Sequence, residues 1–188
     1  GLLFGSTNGS IPAVGIQTPN SSAGHIVFNP KGVEKVRIQA DGGISFNGDT
    51  AAANALDDYE EGTWTPQIDF GGANTGITYA TQIGRYTKIG RMVYLSFKIQ
   101  LSNKGSSTGG VTVLGAPYGN YINVQNNAGT VICEGSGVNW PQNGVYGMIW
   151  NDSKIYIRFQ GTSGYGQLTD ANFSNSTRIF GMMVYDNG

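Results

Sequence analysis

From Gly62 onward, apolar and polar residues alternate with a period of two. The segment RMVYLSFKIQL at 91–101 puts Val93, Leu95, Phe97, Ile99 and Leu101 on one face and Tyr94, Ser96, Lys98 and Gln100 on the other, the pattern of a half-buried antiparallel strand. KIYIRFQ repeats it with Ile155, Ile157 and Phe159 inward, and weaker versions run through WTPQIDF, GRYTKI, VTVL, GTVICE, VYGMIW and RIFGMMVY. About eight strands joined by Gly- and Asn-rich turns, with no helical period between them, predict an all-β fold, an antiparallel β-sandwich or barrel rather than a parallel α/β sheet. Ile89-Gly90-Arg91 and Asn151-Asp152-Ser153 have the residue types of tight hairpin turns.

Upstream the pattern shortens. Residues 1–24 are Gly, Ser, Asn and Pro with scattered apolar residues and read as loop or extended chain. IVF at 26–28, VEKVRI at 33–38 and ISF at 44–46 are β-type pieces, each soon broken by Gly or Pro. Strands this short do not stabilise the sheet of a single chain, but they suffice where chains wind together and each supplies one side of a shared core. DTAAANALDDYEE at 49–61 carries the helical signal: Asp49 as N-cap, an Ala-rich stretch, Ala52, Leu56 and Tyr59 on one face, and Gly62 as the stop. Asp57, Asp58, Glu60 and Glu61 sit at its C-terminal end, where the macrodipole disfavours them, so the predicted helix is short. The expected organisation is a stalk or neck over 1–48, a short helical linker over 49–61, and a jelly-roll-like β-sandwich tip over 62–188.

Composition narrows the partners. The 188 residues include 11 basic and 12 acidic side chains, a net charge of −1, and the charged fraction is 12% against an ordinary ~25%. No field draws in nucleic acid or an anionic membrane surface. Glycine is abundant, at 30 residues with 6 Pro, yet Gly plus Pro stays below the ~25–30% typical of low-complexity disorder. The aromatic residues concentrate from Trp64 onward, where a packed core is expected. One cysteine, Cys133, rules out an intrachain disulfide framework and a multi-Cys zinc site, and its VIC setting reads as a buried hydrophobe. One histidine, His25, rules out zinc sites built from several imidazoles and disfavours most hydrolytic chemistry. No apolar run approaches the ~20 residues of a membrane span. GLLFGSTNGS lacks the features of a signal peptide, and without an initiator Met the chain is expected to begin inside a longer polypeptide.

Motifs for chemistry are weak. Gly105-Ser106-Ser107-Thr108-Gly109 fits G-x-S-x-G in form, but a strand, VTVL, follows where a nucleophile elbow needs a helix, so the segment reads as a turn. No phosphate loop, dinucleotide fingerprint, zinc-protease or EF-hand pattern occurs, so no cofactor and no metal are expected. Asp69, Glu134, Asp152, Asp170, Asp186 and the cluster at 57–61 are the carboxylates from which a glycosidase pair would have to come. The cluster reads as a solvated or interchain-paired face, Glu134 as the polar face of its apolar strand, nothing in the sequence brings the isolated ones together, and no enzyme is expected.

The stretch from Gly115 to Trp150 interleaves Tyr118, Tyr121, Trp140, Tyr146 and Trp150 with Asn120, Asn123, Gln125, Asn126, Asn127, Asn139, Gln142 and Asn143. Aromatic rings offer apolar platforms and amides offer uncharged donors and acceptors, which is what neutral sugars require. Trp140 in the polar loop Asn139-Trp140-Pro141-Gln142-Asn143 suits either binding or packing, and Tyr165 in GTSGYGQ, read as a flexible loop, has the same two readings. Trp64 and Trp150 fall in strand patterns and read as core. The candidate glycan-binding set is Trp140, Tyr118, Tyr121 and Tyr165, with Asn139, Gln142 and Asn143 as hydrogen-bonding partners.

NALDDYEEGTWTP at 54–66 and GRYTKIGRMVYLSFKI at 84–99 resemble the C-terminal region of tailed-bacteriophage tail fibres and tailspikes, and GVEKVRIQADGGISFNG at 32–48 is similar to the necks that precede such regions. The likeness spans about residues 26–115. It implies a homotrimer, an intertwined β neck, and a β-sandwich tip on the virion that binds a host-surface polysaccharide, lipopolysaccharide or outer-membrane protein. Two other readings stand beside the receptor-binding one: a non-binding trimerisation cap of a longer polysaccharide depolymerase, and a glycan hydrolase with carboxylates at subunit interfaces.

Overall fold

A computed structural model of the chain describes residues 24–119, 128–134, 144–150, 152–161 and 164–187. Among these residues there are thirteen strands, all paired antiparallel, three short 3-10 turns and no α-helix. The all-β antiparallel class predicted from the period of two holds. The chain divides into two compact units, the boundary falling between Asp58 and Tyr59.

In the first unit, β1 (Ile26–Phe28), β2 (Val36–Ile38) and β3 (Ile44–Phe46) pair in that order. The register sets Ile26 beside Ile38 and Ile38 beside Ile44, and likewise Phe28 beside Val36 and Val36 beside Phe46. Because alternate residues share a face, these six side chains make one wholly apolar surface. Much of it is open to solvent: Phe28 and Phe46 are 52% and 53% exposed. The opposite face carries Val27, Arg37 and Ser45. Ser45 is the one buried residue of this unit among those described; its hydroxyl donates to the Asp49 carbonyl at 2.7 Å and accepts from Gln39 at 3.3 Å. Arg37 donates twice to Glu34, at 2.8 Å each.

The helix predicted over 49–61 does not form. Asp49 accepts from the Ala51 N–H at 2.9 Å and from the Asn54 amide at 2.8 Å, as a cap would, but the turn it starts ends after Ala52–Asn54. Leu56 then bridges to Ile44, and Tyr59–Trp64 is a strand, β4. Two forces oppose the helix: four carboxylates at its negative end, and the long-range ladder that Tyr59–Trp64 makes with Gly84–Ile89.

The second unit continues with β5 (Gln67–Phe70), β6 (Ile77–Ile89), β7 (Met92–Lys104), β8 (Val111–Leu114), β9 (Ala128–Glu134), β10 (Val145–Ile149), β11 (Ile155–Gly161), β12 (Gly164–Gln167) and β13 (Arg178–Asp186). They form one sheet in the order β4-β6-β7-β13-β9-β10-β11-β8-β5, with β12 also on β11. β4 and β5 stand at opposite ends of this ladder yet are separated only by Thr65 and Pro66, so the sheet curls back on itself. Pro66, lacking an N–H, marks the change of partner. Side chains stitch the seam: the Tyr79 hydroxyl on β6 accepts from the Ile68 N–H on β5 at 2.8 Å, and the Gln82 amide donates to the Pro66 carbonyl at 2.9 Å.

The predicted inward face of 91–101 lines the core. Val93, Leu95, Phe97, Ile99 and Leu101 are all buried, together with Ile68, Ile149, Ile155, Ile157, Ile179 and Tyr185. Four aromatic residues there lie directly across the ladder from a glycine: Trp64 from Gly84, Tyr86 from Gly62, Phe97 from Gly181 and Phe159 from Gly166. At each of these glycines an added Cβ would collide with the opposing ring. The glycine therefore supplies the seat on which the ring lies flat, and the ring covers backbone that glycine leaves bare. Both predicted hairpin turns occur: Ile89 pairs with Met92 around Gly90 at φ +55°, and Ile149 pairs with Ile155 around Ser153 at φ +57°.

The outer side of this sheet is not uniformly polar. Across β7, β13 and β9, Tyr94, Met182, Val184 and Ile132 are 49%, 65%, 42% and 56% exposed. A groove of about 650 Å³ runs over Thr130, Ile132, Phe180, Met182 and Val184.

Candidate functional site

The strands β10, β11 and β12 turn Ile155 and Ile157 into the core, so Tyr156, Arg158 and Gln160 face outward by the period of two. Register places Met148 beside Tyr156, Tyr146 beside Arg158, and Tyr165 beside Gln160. Just past β10, the half-buried Trp150 ring stacks on Tyr156 with centroids 4.5 Å apart and planes at 35°. The Arg158 guanidinium carbon lies 5.8 Å from the Trp150 ring centroid and 5.2 Å from that of Tyr165, within cation–π range of both. Tyr165 is 68% exposed, the most open large apolar or aromatic side chain among those described.

The polar groups around these rings are unevenly matched. The Tyr156 hydroxyl donates to Asp152 at 3.1 Å; burial first, and this hydrogen bond second, raise its pKa above the usual tyrosine value. Asp152 is also ion-paired with Lys154 at 3.7 Å. Arg158 has no such carboxylate among the described residues. Its Nε and the Trp150 Nε1 are both shielded from solvent and without a hydrogen-bond partner. The cluster thus combines aromatic rings with two N–H groups that have neither solvent nor a hydrogen-bond partner.

Of the sequence candidates, Tyr165 lies in this surface, on β12 rather than in the flexible loop predicted for it. GYGQ has no apolar alternation to betray a strand; the ladder from Arg158–Gly161 makes it one. Trp150, read from its strand pattern as core, lies outside the buried core cluster and stacks on Tyr156. Trp64 is in the core as predicted. Trp140, Tyr121, Asn139, Gln142 and Asn143 lie outside the described residues. Tyr156 and Arg158 were absent from the candidate set, although the alternation of KIYIRFQ that buries Ile155 and Ile157 also assigns them to the outer face.

Tyr118 belongs to a different cluster. Its hydroxyl donates to Glu60 at 2.5 Å, and the Tyr86 hydroxyl donates to the other oxygen of the same carboxylate. The two rings meet edge to face at 5.6 Å, and the Lys88 ammonium stands 5.7 Å from the Tyr118 ring. The Tyr118 carbonyl accepts from the Tyr185 hydroxyl at 2.9 Å, and the Gly119 carbonyl accepts from the Asn187 amide at 2.9 Å. The segment leaving β8 is thereby tied to β4, β6 and the end of β13. Hydrogen bonding to Glu60 is the main cause that pushes the Tyr118 and Tyr86 pKa values above the ordinary tyrosine range.

Three of the other carboxylates, Asp69, Asp170 and Asp186, are tied to local donors. Asp69 is buried and accepts from the Thr112 hydroxyl, Asp170 accepts from the Gly109 N–H at 2.8 Å and pairs with Lys104 at 3.7 Å, and Asp186 pairs with Arg91 at 4.0 Å. Glu134 lies on β9 opposite Arg178. The Gly105–Gly109 segment is the turn read from its context, and Ser107 accepts there from the Thr75 N–H at 2.9 Å.

Together, fold and site define an all-β protein with a curled antiparallel sheet and an aromatic, arginine-bearing patch on its outer face. No known protein-family model and no curated protein matches the chain.

Proposed function

We propose that the chain is the receptor-binding tip of a bacteriophage tail fibre or tailspike, a homotrimer that attaches the virion to a host-surface glycan. The observation that carries the binding part is the outward Trp150, Tyr156, Arg158 and Tyr165 cluster. Stacked rings receive the C–H face of a pyranose, and N–H groups donate hydrogen bonds to its oxygens. Tyr165, 68% exposed at the edge of this half-buried cluster, gives a sugar ring direct access to it.

The homotrimer is supported by the solvent-open apolar face of β1–β3. Six apolar side chains on three strands of three residues each are poorly stable in water alone. Two further copies of the same face close a common core around them. The apolar groove over β9 and β13 is a second surface suited to a sister chain, and three copies multiply a weak sugar site through avidity. The same apolar faces favour a second reading, in which the chain is a trimerisation cap that binds no glycan.

A glycan array probed with wild type and with Tyr165→Ala separates the two. The receptor-binding reading expects wild-type binding that Tyr165→Ala weakens while the fold is kept. A trimer that binds nothing on the array overturns it in favour of the cap. Sedimentation equilibrium tests the assembly, with three times 19.9 kDa expected and a persistent single-chain mass removing the trimer.

A further inference from the structure

We infer that the β10–β12 surface selects a glycan bearing a carboxylate, with Arg158 as the residue that recognises it. This rests on the glycan-binding reading above and makes it more specific, because the low overall charge of the chain points by itself to neutral sugars. The local inventory differs from the global one. Around the ring cluster, the donors are the Arg158 guanidinium and the Trp150 indole N–H, and neither the Arg158 Nε nor the Trp150 Nε1 has an acceptor. Two carboxylates lie near Tyr156 and both have partners: Asp152 is held by Lys154 and the Tyr156 hydroxyl, and the buried Asp69, two strands along from Tyr156, accepts from the Thr112 hydroxyl. Arg158 is therefore a cation without an ion-pair partner among the described residues, beside carboxylates already engaged by other donors.

The complementary ligand has an acceptor-only group, negatively charged and planar, attached to a ring with an apolar face. A uronic or sialic acid residue is of this kind. Its carboxylate meets the guanidinium with charge-assisted hydrogen bonds, which are stronger than neutral ones. Its ring lies on Tyr165, whose exposed face is free to receive it. The aromatic neighbours at 5.2 and 5.8 Å hold the guanidinium in place, so little side-chain freedom is lost on binding.

The test is calorimetric titration of the full chain with oligogalacturonate, oligoglucuronate and oligosialate, each against its carboxyl-reduced counterpart. At least one acid is expected to bind about tenfold or more tightly than its reduced form, a difference of ~1.4 kcal/mol. Arg158→Gln is expected to abolish that preference, and Arg158→Lys to retain part of it, since lysine keeps the charge but not the planar fork. The comparison of paired ligands needs only the wild-type chain, so it stands even if a variant fails to fold. Equal binding of acid and reduced forms, or binding of neutral glycans alone, overturns the acidic preference and leaves the glycan reading intact. Equal binding of poly-glutamate overturns sugar recognition in favour of plain charge attraction. No binding by any glycan, acidic or neutral, overturns both readings.

Discussion

The two units of the chain distribute the same kinds of residue in opposite ways. Among the described residues of 59–188, β7, β11 and β13 each turn an apolar row inward, and Ile68, Leu95, Ile99, Ile155, Ile157 and Ile179 are almost wholly removed from water. In residues 24–58 the apolar row of β1–β3 is open and a serine is what the chain buries. Alternation of apolar and polar residues thus specifies a face but not what covers it. A thirteen-residue strand such as β7 finds its cover within the chain, because enough sheet exists to curl around it. A three-residue strand does not.

That contrast is broken most directly by paired truncations. Ile99→Ala removes a fully buried side chain from the core, and is expected to destabilise the second unit by about 2–5 kcal/mol, read as a shift of the urea midpoint. Phe46→Ala in the first unit is expected to leave single-chain stability within about 0.5 kcal/mol while lowering the fraction of trimer in sedimentation. If Phe46→Ala costs as much as Ile99→Ala in a chain held monomeric by dilution, the first unit has a core of its own and the contrast fails.

A smaller effect separates two uses of glycine. Gly181→Ala puts a Cβ into the Phe97 ring, and overpacking of this kind costs about 1–3 kcal/mol. Gly48→Ala meets nothing within 4 Å, but Gly48 has φ +79°, and the left-handed backbone costs about 1 kcal/mol for an L side chain. The first change is expected to be relieved by Phe97→Leu in the same chain, and the second is not. Additivity of Gly181→Ala with Phe97→Leu in thermal melts would refute the seat.

Much of the second unit was legible because its strands alternate strictly. The inward set of β7 and the inward residues of β11 follow from period alone. The failures share a cause, which is that local pattern says nothing of long-range pairing. Residues 49–61 have a cap and an Ala-rich run, yet Tyr59–Trp64 pairs with residues of β6 that lie 20 to 30 positions further along the chain. Tyr165 looks like a loop residue because Gly164 and Gly166 flank it, and becomes a strand residue only through β11. Trp150 satisfies a core pattern, but β10 ends at Ile149 and the ring is free to turn outward. Arg158 was visible in the alternation of its own strand; what the sequence does not contain is its proximity to two rings from two other segments.

The smallest expected effect concerns pH, and it divides the units again. In the second unit Tyr118 and Tyr86 are held protonated mainly by hydrogen bonds to Glu60, and Tyr185 mainly by burial, so their folded pKa values lie above the unfolded value near ~10. As pH rises past that value the unfolded chain releases these protons while the folded chain retains them. Stability contributed by the three groups is full below about pH 10 and declines above it. Residues 1–58 contain no tyrosine. Their shifted carboxyls are Glu34, lowered chiefly by its hydrogen bonds from Arg37, and Asp49, lowered chiefly by the Ala51 N–H. For these the sign reverses: the contribution is present above the ordinary carboxylate pKa and is lost as pH falls through the lowered one. Amide spectra followed against pH are expected to lose second-unit signals first on the alkaline side, with Tyr118→Phe making that loss shallower between about pH 10 and 11 at the expense of up to about 1 kcal/mol at neutral pH. Glu34→Gln is expected to act only on the first unit and only toward acid. An alkaline transition unchanged by Tyr118→Phe would show that the Glu60 hydrogen bonds do not hold the two tyrosines in their neutral form.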